Sequence, residues 1–584
     1  VFLVIIWLFT KFVVFYLIGN FQKYVIPKMM AGYRKTLDIA LRGFMPYLVV
    51  VFTILLLFFT FFLMSVKPPK VVFFPQGDPN SIFVYITMPT GTDIEVTNRV
   101  TKQVEDSVFA IVGHDNPDVE SVITNVALNA GQDIFERTTQ ARLAKISVNF
   151  EEYKFRTGPS TSDILQEMRT RIQGIPGAQI IVDREQNGPP TGKPINLEIR
   201  GEAKKPYIEL VQIAEETQMF IDSLAIPGIE DLKSDADVDK PEVIVKIDRI
   251  KANQYGISTA YVGSVLRTAL YGSTASKYRE GDEEFPINVR LEEKYRKKVS
   301  DLMNMRIPVP GGPDGLREIP VSAIAKIEYQ TSYGGVIHQE YRPTITLSSN
   351  VLTGYNANEI VQEISVALED FELPNGYEFV FTGEQQDQEE SGRFLSMAFL
   401  IAIAAVFLVL VSQFNSLSKP VIIMLQVVFS MIGVLLFTTL FGMEISVVMT
   451  GMGLIAVIGI VVKNAIILID YTDILVNRGK DFKDAVITGG AIRLTPVLLT
   501  AASTIFGLLP LAIGMNINFQ TLFTDLDPNI FFGGDSAAFW NPLAWTIIFG
   551  LAFATFLTLV VVPSMYFIIF RKRVAKQRAG QEKE

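Results

Sequence analysis

Residues 453–471 read GLIAVIGIVVKNAIILIDY. As a helix rising about 1.5 Å per residue, this run is long enough to cross the roughly 30 Å hydrocarbon layer of a bilayer. Near its middle stand Lys463 and Asn464. An ammonium at that depth costs about 3 kcal/mol or more unless something answers it, and such groups usually mark a functional site. The bland alternative is a lysine that snorkels to the interface. The polar end of the span lies near Asp470 and Asp473, roughly 10–15 Å along the axis. A lysine stem covers about half of that distance, so the expectation is a buried, paired lysine whose charge is set by its partner.

A lysine of this kind needs other helices around it, and the composition supplies them. Of 584 residues, 49% are hydrophobic and 19% charged, and the mean hydropathy is +0.31. That is too apolar for an ordinary soluble chain and too charged for one made of spans alone, so several spans plus a sizeable water-exposed domain are expected. Cysteine is absent, which excludes disulfides and thiolate chemistry. His114 and His338 are the two histidines. They lie far apart without metal-ligand spacing and read as surface residues, so no metal site and no cofactor are expected. The net charge of −9 argues against a nucleic-acid partner. The chain opens on Val1 inside an apolar run with no charged leader, which reads as the middle of a helix in a longer protein.

About seven spans are expected. Residues 1–18 form a first, partial one, with Lys11 inside it. Residues 21–43 carry Lys23, Lys28, Arg34, Lys35 and Arg42, with Ile26, Met29, Met30, Tyr33, Leu37 and Leu41 at helical spacing. That pattern suits an amphipathic helix lying in the membrane surface. Residues 46–66 are the next span, and five more fill 391–570. Basic residues cluster before the second span, at Lys419, in 478–493 and in the tail 571–584, whereas loops 442–444 and 515–544 hold no Lys or Arg. Alternation through the spans puts every basic loop on the cytoplasmic side. The long insert 71–390 then lies outside, as does 516–541, whose Phe and Trp residues suit the membrane interface.

The insert has a periodicity of its own. Residues 81–88 alternate as a strand, and Thr92 and Glu95 open a helix as a capping box. Strands at 118–125 and 141–150, a helix at 162–173 and a strand at 179–183 complete a βαββαβ order, the split βαβ arrangement. A second such unit starts at 195–200, 207–224 and 243–247 and resumes at 344–351, 356–368 and 378–382. Domain limits follow at 71–190 for the first module, 191–247 with 333–390 for the second, and 248–332 for a piece inserted into it.

The run GIVVKNAIILID resembles the lysine-bearing helix of resistance–nodulation–division (RND) efflux transporters. FFPQGDPNSIFVYITMPTGTD, YREGDEEFPINVRL, TGEQQDQEES and RLTPVLLTAASTIFGLLPLAIG agree with it. The likeness covers essentially the whole chain and points to the hydrophobe/amphiphile branch. It implies an α-helical membrane bundle bearing two ferredoxin-like porter subdomains, the second interrupted by a docking subdomain. It further implies an inner-membrane permease, of which this chain resembles the C-terminal half. Such a permease drives amphiphiles out by proton antiport, without enzyme chemistry. A homotrimer, a periplasmic adaptor protein, an outer-membrane channel and an N-terminal half would be its partners.

The resemblance also implies site residues. Lys463 would carry the proton relay with Asn464, Arg493 and Thr500. The family's aspartate pair has no match, since no Asp-Asp dipeptide lies in any span. Arg493 and Thr500 are seven residues apart and share a helix face. Thr500 could equally bond back to its own helix, and Arg493 could be a cytoplasmic anchor. Asp470 reads as an interfacial anchor. Ile123, Asn125, Phe135 and Ile146 stand at positions resembling pocket-lining ones, although ordinary strand packing explains them equally well. The family's Gly-Phe-rich loop is missing from 122–146. A lipid-exporting or protein-translocating relative and a metal-ion pump remain alternatives. A membrane-anchored enzyme or sensor lacks a Ser/His/Asp set, a metal cluster or a phosphate loop to support it.

Overall fold

A computed structural model gives the structure of residues 19–75, 77–131, 139–172, 174–185, 192–236, 240–311, 315–332, 335–352 and 355–581. The expected partial span at 1–18 lies outside these residues. Among them, six helices are long and apolar enough to cross a bilayer: Met45–Val66, Glu384–Phe414, Ser418–Phe441, Val447–Asn477, Phe482–Ala512 and Asp535–Arg571. Their inward faces build a core from Ile422, Ile432, Ile458, Val462, Leu468, Ile469 and Val562. Small residues let the helices approach closely. A Cβ on Gly433 would come within 2.7 Å of the Phe549 carbonyl oxygen, and one on Gly453 within 2.8 Å of Thr546 Cγ2.

The last span is irregular. It turns as a π-helix over Leu557–Val561, a geometry that upsets the regular i→i+4 ladder. The Tyr33 hydroxyl donates to the Leu559 carbonyl at 2.6 Å. Tyr33 sits on Ile26–Ala40, the amphipathic helix expected within 21–43. Burial pushes the Tyr33 phenol well above the ordinary tyrosine range, so it stays a donor.

The first water-exposed module runs β1 (Ser81–Thr87), α1 (Ile94–Val112), β2 (Val119–Val126), β3 (Leu143–Phe150), α2 (Thr161–Arg171) and β4 (Gln179–Arg184). Its antiparallel sheet has the order β2-β3-β1-β4, as the split βαβ pattern requires. Both helices pack on one face, over Ile82, Val84, Ile86, Ile146 and Val148. The expected capping box of Thr92 and Glu95 does not form: Asp93 is the cap of α1, accepting from the Glu95 amide at 2.9 Å, while the Thr92 hydroxyl donates to the Pro89 carbonyl at 2.6 Å. Asp118 closes the far end of the module. Burial works against its charge, yet the Thr157 and Gly158 amides and the Thr157 hydroxyl outweigh that and hold its carboxyl below the usual range.

The second module runs β5 (Ile195–Gly201), α3 (Tyr207–Ser223), β6 (Lys233–Ser234), β7 (Arg342–Ser349), α4 (Ala357–Leu368) and β8 (Tyr377–Phe381). Strand β5 lies between β7 and β8, and β6 pairs with β7. One strand differs from the sequence reading. Residues 243–247 were expected in this sheet, but Lys240–Ile247 pairs antiparallel with Ala325–Ser332, from Ile247↔Ala325 to Lys240↔Ser332. Alternation marks both strands without saying which partner each takes.

A separate compact unit covers 89–92 and 236–337. It holds that strand pair, the ribbon of Ser273–Glu280 with Glu283–Val289, and a core of Val262, Ile307, Val309, Val321 and Ile324.

Candidate functional site

The Lys463 helix, Val447–Asn477, is capped by Ser446, whose hydroxyl accepts from the Met449 amide at 3.2 Å. Its two faces differ sharply. Ile458, Val462, Ala465 and Ile469 recur at helical spacing and are buried in the bundle core. Opposite them Ala456, Gly459, Lys463 and Asp470 are exposed. No described residue pairs with Lys463, and nothing stands within 4 Å of a Cβ built on Gly459 one turn away. In this chain by itself, the lysine is therefore not the buried, paired group that its depth leads one to expect. It lies on a small-residue face that leaves room for another helix.

Asn464 is buried beside it and accepts from the Thr500 hydroxyl at 3.2 Å. The same hydroxyl lies 3.0 Å from the Val497 carbonyl, so it bonds back to its own helix as well as across to Asn464. Arg493 stacks over Tyr471, with Cζ 4.3 Å from the ring centroid, and its buried Nε has no hydrogen-bond partner among the described residues. Four sequence-selected residues thus fall on two adjacent helices, Val447–Asn477 and Phe482–Ala512. The Thr500 to Asn464 hydrogen bond and the Arg493 stack on Tyr471 both join these helices. Asp470 is exposed.

Each end of the Lys463 helix is tied down, which sequence reasoning missed. At the inner end Lys419 Nζ lies 2.6 Å from Asp473 Oδ2, and the Tyr566 hydroxyl donates to Asp473 Oδ1 at 2.5 Å. Only the polarity of Asp473 and the charge of Lys419 were visible in sequence. At the outer end Val71 and Val72 pair in parallel with Ile445 and Ser446. The Ser446 hydroxyl also donates to the Phe73 carbonyl at 2.9 Å, and Lys70 meets Glu444 at 2.9 Å. The strand that leads into the first module is thereby bonded directly to the cap of the Lys463 helix.

Of the four pocket candidates, Ile123 is 49% exposed and Asn125 partly exposed on the helix-free face of the first module's sheet. Ile146 is a correction. It is 0% exposed in the core beneath α1 and α2, because the register pairs it with Thr124 rather than with Ile123 or Asn125. Phe135 lies outside the described residues. Phe83, Tyr85 and Lys145 share this helix-free face with Ile123 and Asn125, Tyr85 being buried on it, and were not singled out. The alternation of Ala144, Ile146, Val148 and Phe150 with Lys145, Ser147 and Asn149 inside the strand could have set Lys145 on the face opposite Ile146. The loop at 516–541 also departs from expectation. Its later part docks on the first module, where Asp535 bonds Asn80 and Phe539 stacks on Phe74 at 5.9 Å. Phe519 and Phe523 remain exposed.

The chain matches the model of the AcrB/AcrD/AcrF family over residues 16–571. It is 29% identical over 349 residues to the cobalt-zinc-cadmium resistance protein CzcA of Cupriavidus metallidurans, covering 59% of this chain and 31% of that protein. To the multidrug resistance protein MdtC of Proteus mirabilis it is 25% identical over 428 residues, covering 73% and 39%. The crystal structure of a heavy metal efflux pump superposes with a TM-score of 0.74 at 22% identity, covering 94% of this chain and 53% of that one. The chain therefore spans about half the length of that pump and less of the curated relatives it matches.

Proposed function

The chain belongs to the AcrB/AcrD/AcrF family, the permeases of resistance–nodulation–division efflux systems, and on that premise we propose that it serves proton-driven export of amphiphilic small molecules. It is a multi-pass inner-membrane protein with a large periplasmic part. The observation that carries the relay reading is the two-faced Lys463 helix. One face is locked in the bundle, and the other presents, beside Gly459 and Ala456, an ammonium with no partner among the described residues. An intramembrane cation without a partner is costly. Carboxylates on a helix outside this chain would answer it, and their protonation would release it. Asn464 and Thr500 would hold the lysine's backbone against the neighbouring helix, and Arg493 would set the field at the inner end. Lys463 with these three residues forms the proposed relay.

The remaining parts of the proposal follow the family. An N-terminal half completes the permease, which works as a homotrimer with a periplasmic adaptor and an outer-membrane channel. Metal export is the second reading, since CzcA is by name a cobalt-zinc-cadmium resistance protein. The cationic, aromatic sheet face at Phe83, Tyr85 and Lys145 favours the amphiphile over a divalent ion, which a nearby ammonium repels.

The test is transport by the full-length permease in liposomes with an imposed pH gradient. Movement of an amphiphilic dye should follow the gradient and stop when a protonophore collapses it. Dye movement indifferent to the gradient, or zinc carried in place of dye, would contradict the proposal.

A further inference from the structure

At its outer end the Lys463 helix begins at Ser446, which is 0% exposed. The Ser446 hydroxyl makes two bonds at once. It accepts from the Met449 amide at 3.2 Å, which caps the helix, and donates to the Phe73 carbonyl at 2.9 Å. The backbone beside it pairs over two residues, Val71 with Ile445 and Val72 with Ser446, and the Ile445 amide reaches the Lys70 carbonyl at 2.9 Å. Phe73 is buried, where a carbonyl left without a donor is costly.

A few residues on, the same stretch is held by the first module. The Asp78 carboxylate accepts from the Ser160 and Ser162 hydroxyls at 2.5 and 2.7 Å. The Thr161 hydroxyl donates to the Pro79 carbonyl at 2.9 Å. These residues open α2, and β1 follows at Ser81. The connection between the helix cap and the module is therefore bonded at both ends.

The Lys463 helix is placed to act on it as a lever. Its inner end is pinned to neighbouring spans, through Asp473 to Lys419 and Tyr566. Lys463 lies ten residues from Asp473 and Ser446 twenty-seven, about 15 Å and about 40 Å along a straight helix. A tilt about Asp473 that shifts the helix by about 1 Å at Lys463 shifts its outer end by about 3 Å.

We propose that Ser446 is a positioning residue for export, which carries displacement of the Lys463 helix through the Phe73 carbonyl to α2 and β1 of the first module. The inference rests on the export reading above and adds the contact by which the relay is felt outside the membrane. A hydroxyl bonded to both the helix and the strand makes the two move together. Without it the helix can shift and leave the strand behind.

The experiment follows dye export and proton entry together, in liposomes that hold the full-length permease under an imposed pH gradient. Ser446→Ala should lower kcat for the dye by about 3–10-fold, the weight of one hydrogen bond, and leave KM unchanged. Protons should still cross, so the number moved per dye should rise by a similar factor. Lys70 and Glu444 meet at 2.9 Å beside this contact, and both are exposed. The double variant Lys70→Cys, Glu444→Cys, with no other cysteine present, can be cross-linked there by oxidation. In the Ser446→Ala background the cross-link should restore export and the proton count, and reduction should undo both. A Ser446→Ala protein that loses dye and proton movement in equal measure, with a lowered melting temperature, has lost stability alone, and that result overturns the proposal. So does unaltered export by Ser446→Ala, or a cross-link that restores nothing. A wild type that moves no dye under the gradient removes the export reading itself, whereas these other outcomes leave that reading standing.

Discussion

Replacing Lys463 by alanine in the full-length permease is expected to abolish export while leaving membrane insertion intact. The expected loss is about 100-fold or more, the scale on which a positioned proton-transfer group acts. The reason lies in the two faces of its helix. Ile458, Val462, Ala465 and Ile469 fix one face in the bundle core, so removing a side chain from the opposite, exposed face disturbs no packing within this chain. Insertion and folding should therefore survive, as read by membrane abundance and melting temperature. What is lost is the only charge that this face presents at the middle of the span. Undiminished export by Lys463→Ala, at wild-type abundance, would remove the lysine from the mechanism.

Gly433→Leu is the second large effect, and it acts through packing. Gly433 lets Ser418–Phe441 lie directly against the last span. A Cβ there would meet the Phe549 carbonyl oxygen at 2.7 Å and the Phe553 side chain closer still. Backbone cannot rotate away as a long side chain can, so the two helices must separate. Overpacking of this kind costs about 1–3 kcal/mol or more, and the neighbouring contacts of Gln426 with the Ala554 carbonyl and the Thr558 hydroxyl would be stretched too. The expected result is a fall of several degrees in the melting temperature of the detergent-purified permease, with a matching loss of membrane protein. Gly507→Leu, where nothing lies within 4 Å, should melt as the wild type does. Equal melting of Gly433→Leu and the wild type would show that this helix contact carries no stability.

What the sequence disclosed follows from how strong each local signal is. Lys463 stood out because one charge, followed by an asparagine, interrupts a long apolar run. The membrane helices were found for the same reason, but their ends were not. Phe482–Ala512 starts well before the apolar stretch at 496–513, because Asp484, Lys483 and Arg493 hide its first turns. The split βαβ order of the first module was readable from alternation and from the polar start of its first helix, although the cap is Asp93 and not Thr92. The pairing of Lys240–Ile247 was not, since period-2 alternation carries no address for the partner strand. Ile146 shows the same limit at the level of a side chain. It was grouped with Ile123 and Asn125 by likeness, yet the hairpin register sets it opposite Thr124 and turns it into the core. Lys145, one residue earlier, faces the way Ile146 was expected to. The ties at the two ends of the Lys463 helix join residues hundreds of positions apart or lie in short loops, and no local pattern announces them.

What faces Lys463 in the complete permease decides whether this lysine serves a proton relay. The direct measurement is the distance from its Nζ to the nearest carboxylate oxygen in a structure of the full-length protein at neutral pH. A carboxylate from a helix outside this chain within about 4–6 Å, the range over which an opposite charge governs protonation, is the predicted result. An Nζ turned toward lipid headgroups, with no acid at that depth, would contradict it.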